Sequence, residues 1–180
     1  DVSFMSVTSR TAGFNAMPMD ELGTAGRMGA MMLMTVGGSP GGTAGGIKTT
    51  VVALLLLSVI AAVRERDQTE AFSRRIADSL VRKAAALGVG YVGLMTVATL
   101  AMAVTEPFPF VKILFEAVSA ATTTGLSLGI TADLSPWARG VVIVTMFLGR
   151  VGPLALAGAV LAGTANRTPV SYAQEGVLLG

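Results

Sequence analysis

GGSPGGTAGGIKTT, residues 37–50, carries six glycines and a proline in its first ten positions. Two structures use such a run: a loop that cradles phosphate, and a break in a helix. A phosphate loop of the G-x-x-x-x-G-K-S/T kind sets glycine directly before the lysine, so that backbone N–H groups wrap the phosphates. Here Ile47 stands between Gly46 and Lys48. Such a loop also follows a buried strand. The lead-in GRMGAMMLMTV, residues 26–36, is rich in methionine and poor in β-branched residues, which suits a helix. A continuous helix through the run is also disfavoured, since each glycine costs about 1 kcal/mol relative to alanine and proline about 3. The stretch therefore reads as a broken helix inside the apolar segment Met28 to Val63.

Composition supports a lipid setting for that break. Of the 180 residues, 52% are hydrophobic and 13% charged, against about 25% charged in soluble domains. The net charge of +2 is small and the basic residues cluster between apolar segments, which argues against a nucleic-acid partner. Histidine is absent, which removes the commonest general base and metal ligand and argues against an enzyme. Cysteine is absent too, so the redox compartment is not legible. The first residues, DVSFMSV, have neither an initiator methionine nor a basic or apolar leader. The expectation is a chain that starts within something larger.

Ala84 to Val104 runs 21 residues without a charge, and about 20 suffice to span a bilayer. Gly140 to Ala165 is a second apolar stretch, interrupted only by Arg150 and preceded by Trp137 and Arg139 as interfacial anchors. Arg64 to Lys83 holds Arg64, Arg66, Arg74, Arg75, Arg82 and Lys83; the positive-inside rule makes this connector cytoplasmic. The broken stretch then runs inward, Ala84–Val104 outward and the last stretch inward again, leaving the tail SYAQEGVLLG in the cytoplasm. Two pieces are too short to span, Ser3 to Asn15 and Phe108 to Gly125. Each ends in a threonine- and glycine-containing turn before a spanning segment, and each reads as a re-entrant half-helix.

These pieces resemble each other. Phe4–Phe14 (FMSVTSRTAGF) aligns with Phe115–Leu126 (FEAVSAATTTGL) once one residue is gapped. Downstream, Gly13 to Pro40 is 27 positions and Gly125 to Pro153 is 28. Repeats built on discontinuous helices are typical of transport proteins. A re-entrant helix directs its carbonyl end, with about half a negative charge, toward the membrane centre. The glycine of a T-x-G turn lets carbonyls face inward, and rings of carbonyls can replace the hydration shell of an alkali cation. Irregular backbone at that depth must line a pore or a tight interior. Helix-packing glycine is the plainer reading of each turn alone, and Gly38/Gly42 and Gly42/Gly46 satisfy G-x-x-x-G as well.

SRTAGFN, GGSPGGTAGGIKTT, FEAVSAATTTGLSLGIT and GRVGPL together resemble the Trk/Ktr/HKT superfamily of potassium transporters. The resemblance covers nearly the whole chain and corresponds to the C-terminal part of such a subunit. It implies an all-α, multi-pass membrane protein with two re-entrant pore loops. In the family, four helix–pore loop–helix repeats surround one pore. This chain would supply the third repeat's pore loop and second helix in residues 1–63, a cytoplasmic connector in 64–83, a complete fourth repeat in 84–165 and a cytoplasmic tail in 166–180. The implied K+ filter residues are Thr11, Ala12, Gly13 and Phe14 with Thr123, Thr124, Gly125 and Leu126. Members with serine at a filter glycine tend to pass Na+, and both turns here keep glycine. TTTGL departs from the commoner G-T-V-G-L.

By the same resemblance Gly37, Gly38, Ser39, Pro40, Gly41, Gly42, Thr43, Ala44, Gly45 and Gly46 form an intramembrane gate below the filter. A charge at mid-helix faces the interior by default, and Arg150 is expected to latch the gate through its freed carbonyls. Lys48 is expected to reach cytoplasmic water, with a part in gating as its other reading, Arg10 and Asn15 to brace the first filter, and Glu116 to pair with Lys112 one helical turn away. The resemblance also implies a homodimer of full-length subunits in the plasma membrane, a cytoplasmic nucleotide-binding regulatory subunit against the connector and tail, membrane lipid around the helices, and no organic cofactor in this chain. The alternatives are a non-conducting scaffold, a truncated fragment of such a transporter, or a broken-helix transporter for another small ion such as Na+. Glycine turns that follow helix C-termini favour cations over anions.

Overall fold

The computed structural model describes residues 2–14, 19, 22–41, 44–66, 68–71 and 74–152. Among them run six α-helices, α1 (Val2–Thr8), α2 (Thr24–Thr35), α3 (Thr49–Val63), α4 (Asp78–Ala103), α5 (Phe110–Thr122) and α6 (Pro136–Val151), with a 3-10 turn at Thr131–Asp133. A short hairpin, β1 (Glu70–Ala71) with β2 (Arg74–Arg75), lies between α3 and α4. Asn15, Gly42, Thr43, the end of the Gly140–Ala165 stretch and the tail 166–180 lie outside the described residues.

Among the described residues one helix, α4, is long and apolar enough to cross a membrane. Its 26 residues extend roughly 39 Å at 1.5 Å per residue. It starts six residues before the expected Ala84. Asp78 favours the positive helix N-terminus and is paired with Arg75 at 3.6 Å. The expected break is present: α2 has 12 residues and α3 has 15, each short of the ~20 that span a bilayer.

The connector departs from an all-α chain. Glu70 pairs with Arg75 and Ala71 with Arg74 in antiparallel register. An exposed Arg66–Glu70 ion pair at 3.6 Å adds at most about 1 kcal/mol there.

α5 is the centre of the packing, contacted by α2, α4 and α6. Small residues make this close approach feasible: Ala117, Ala120 and Ala121 are buried on α5. Phe115, fully buried, joins Met31, Met34, Tyr91, Met95 and Leu126 in one apolar cluster. Ala98, Met102, Ile130, Leu134 and Val142 form another with Ala117 and Ala120. α6 starts cleanly, with Pro136 in its first turn and the Ser135 hydroxyl accepting from Ala138 N at 3.3 Å. Val89, Val97, Leu100, Ile143 and Phe147 leave large apolar surface uncovered on α4 and α6, as a helix facing lipid or further protein does.

Candidate functional site

Both T-x-G turns have the same unusual backbone. Thr11 (φ 69°) and Thr123 (φ 54°) are in the left-handed region, which a β-branched residue rarely adopts. Two residues on, Gly13 (φ 73°) and Gly125 (φ 89°) are there too. In an extended strand successive carbonyls alternate sides. Left-handed residues at every second position break that alternation. Thr123 is also the C-cap of α5, so the turn begins where the helix presents its negative end.

The bracing is repeated as well. Ala12 N donates to Thr8 O at 3.1 Å, and Thr124 N to Ser119 O at 3.0 Å. Thr8 and Ser119 are equivalent in the alignment of the two pieces. Their hydroxyls both hold the turn: Thr8 Oγ1 donates to Phe14 O at 2.6 Å, and Gly125 N donates to Ser119 Oγ at 3.2 Å. The Thr122 and Thr124 hydroxyls meet at 2.8 Å. The turns also face each other. A Cβ on Gly13 would stand 2.2 Å from Thr124 O, so only glycine admits this approach. Phe14 is exposed while Leu126 is buried.

The glycine-rich loop passes directly against the second turn. A Cβ on Gly45 would lie 2.2 Å from Thr123 Oγ1 and 2.3 Å from Thr122 O. Thr123 Oγ1 is buried and has no hydrogen-bond partner among the described residues. The loop ends are clamped together by a parallel bridge between Val36 and Ile47. Gly37 N donates to Ile47 O at 2.9 Å and Ile47 N to Thr35 O at 3.1 Å. Ser39, Pro40 and Gly41 are exposed, whereas Gly37, Gly45 and Gly46 are buried and Gly38 and Ala44 half-buried.

Lys48 does not extend to water as expected. Its Nζ turns back and donates to Ala44 O within the loop. Arg150 is not at mid-helix: it lies in the last turn of α6, which ends at Gly152 (φ 90°). There a cation suits the helix's terminal carbonyls. Arg150 does come to the loop, lining with Ala44–Lys48 and Tyr91 a cavity of about 160 Å³. The Arg10 side chain is exposed, and its backbone N–H donates to Val7 O at 3.1 Å. Glu116 is held by Ser127 and Thr131 rather than Lys112.

Sequence reasoning missed three participants. Thr8 and Ser119 were legible, because they are hydroxyl residues at one position of the aligned pieces. Tyr91 was not: its hydroxyl donates to Gly149 O at 2.8 Å across 58 positions of chain. Gly149 in turn rests on α5, where an added Cβ would meet Ala121 O at 2.0 Å. Among the described residues no three Asp or Glu side chains gather at one point. The polar groups of the two turns are backbone carbonyls and hydroxyls, and carbonyl oxygen is the donor type that can replace the hydration shell of an alkali cation.

The family of TrkH cation transport proteins matches residues 1–162. The potassium/sodium uptake protein NtpJ of Enterococcus hirae is 38% identical over 98% of this chain and 40% of its own length. The Ktr system potassium uptake protein B of Bacillus subtilis is 38% identical over 84% of the chain and 34% of its own. The protein of that name from Vibrio alginolyticus is 32% identical over 98% of the chain and 38% of its own. The chain thus spans well under half the length of these relatives.

Proposed function

The chain belongs to the TrkH family of cation transport proteins, and from that premise we propose that it carries part of a K+ uptake path. The Thr11–Phe14 and Thr123–Leu126 turns serve as two of the segments whose carbonyls coordinate the ion. The Gly37–Gly46 loop serves as the gate beneath them, with Arg150 and Lys48 at its cytoplasmic side. The remaining segments come from a full-length subunit of relatives' length, multi-pass in the plasma membrane and dimeric. A cytoplasmic nucleotide-binding partner contacts the Arg64–Lys83 connector, and no organic cofactor binds here. The observation that carries the reading is the twin left-handed threonine–glycine backbone, brought face to face at Gly13 and Thr124.

A second reading has a specific basis. The relative from Enterococcus hirae is named for both potassium and sodium, so Na+ as co-transported ion is the alternative. The test is rubidium-86 and sodium-22 uptake by the full-length subunit, with Gly13→Ser and Gly125→Ser. A left-handed glycine replaced by serine is strained by about 1–2 kcal/mol, and at Gly13 the side chain also strikes Thr124 O. We expect rubidium uptake to fall at least about tenfold, with a smaller loss of sodium uptake. Uptake indifferent to both substitutions ends the coordinating-turn reading.

A further inference from the structure

The chain leaving the second turn is fastened to one side chain. Glu116, at mid-α5, is 5% exposed. Thr131 Oγ1 lies 3.1 Å from both of its carboxylate oxygens. Ser127 Oγ donates to Oε1. Thr131 Oγ1 is also 2.7 Å from Ser127 Oγ, which accepts from Gly129 N at 2.9 Å. Residues 127–131 are thereby gathered on a single carboxylate.

Glu116 does not stand alone on its helix. Glu116, Ser119 and Thr122 are spaced by three, and so share a face of α5. Each meets a successive part of the returning chain. Thr122 meets Thr124, Ser119 meets Gly125, and Glu116 meets the segment beyond Leu126. Hydrogen bonds to a charged acceptor are roughly twice as strong as neutral ones. A buried carboxylate is tolerated only when so partnered. The outermost rung of this ladder is therefore its strongest. In the aligned piece the corresponding residue is Met5, so the carboxylate serves one of the two turns.

We propose that Glu116 is a positioning residue for ion selection. It anchors residues 127–131 so that the Thr123–Gly125 carbonyls keep one spacing whether or not an ion is present. This rests on the reading of those carbonyls as ion ligands. A turn free to contract would accommodate the smaller Na+; a tethered one disfavours it. Glu116 acts through Ser127 and Thr131 and does not itself touch the ion.

The experiment compares K+ and Na+ uptake kinetics of the full-length subunit in four variants: Glu116→Gln, the double Ser127→Ala/Thr131→Val, the triple combination, and Gly125→Ser. Glu116→Gln keeps shape and removes charge, while the double variant keeps the charge and removes two donors. We expect both to lower the K+ over Na+ preference by about tenfold, chiefly through KM, and the triple variant to add little to either. A preference unchanged in the Glu116 and double variants while Gly125→Ser moves it overturns the tether alone. A preference that only Glu116→Gln shifts assigns the effect to charge and also overturns it. Indifference to Gly125→Ser as well removes the coordinating turn and the tether with it. Should Glu116→Gln fail to reach the membrane, the double variant decides on its own.

Discussion

Gly45→Ala is the sharpest perturbation of the proposed gate. Gly45 is not in the left-handed region, so alanine is admissible in the backbone it already has. The obstacle is space. The new methyl would sit 2.2 Å from Thr123 Oγ1 and 2.3 Å from Thr122 O, where 3.4 Å begins ordinary contact. Rotating the threonine relieves only the first of these. Thr122 O belongs to the end of α5, whose last three residues, Ala120–Thr122, are all buried, so the loop must withdraw by about an ångström. Overpacking of this kind costs about 1–3 kcal/mol. It falls only on arrangements with the loop seated against the turn. The seated population should drop by about 5- to 150-fold relative to the withdrawn one. The assay is initial rubidium-86 uptake into vesicles bearing the full-length subunit alone. Gly140→Ala, where an added Cβ meets nothing within 4 Å, serves as control. Uptake should rise in the first variant and not in the second. Uptake that stays level, with the protein intact, refutes the loop as a barrier; a fall would mean that the seated loop belongs to the conducting arrangement.

Two further outcomes follow from the geometry. Tyr91→Phe removes the donor to Gly149 O and should lower stability by about 1 kcal/mol, read as a lowered Tm in detergent; an unchanged Tm would show that the contact fixes nothing. Thr123→Gly removes a left-handed β-branched residue and a buried hydroxyl without a partner among the described residues. It should raise stability by about 1 kcal/mol while impairing K+ uptake. A variant that loses stability would show that the threonine's packing outweighs its strain.

Features written in local chemistry were legible before the structure. The run at 37–50 broke the helix because six glycines and a proline act wherever they stand. Ala84–Val104 was apolar without interruption, and α4 contains all but its last residue. The turns at Thr11 and Thr123 declared themselves through a shared pattern. Contacts set by three-dimensional neighbours did not. Glu116 has Lys112 one turn away in sequence, yet burial turns it toward the returning chain, which offers two hydroxyl donors. Lys48 has open loop before it, but the Ala44 carbonyl, left without a helical partner, draws it back. Arg150 sat mid-stretch in an apolar run, and only the left-handed Gly152 shows that the helix stops beside it. Tyr91 carried no pattern at all, because its partner is a helix carbonyl that every residue possesses.

The Val36–Ile47 bridge has a consequence for variation. With both ends of the loop pinned to each other, and Thr49 N donating to Gly38 O at 3.3 Å, α2 and α3 are joined at the base of the loop and not at its exposed tip. Closing a flexible loop becomes costlier only with the logarithm of its length, about 0.6 kcal/mol per doubling. The exposed tip around Ser39–Gly41 is therefore free to lengthen or change composition among descendants while the flanking helices stay where they are. The bridge separates what must be kept from what natural selection can tune.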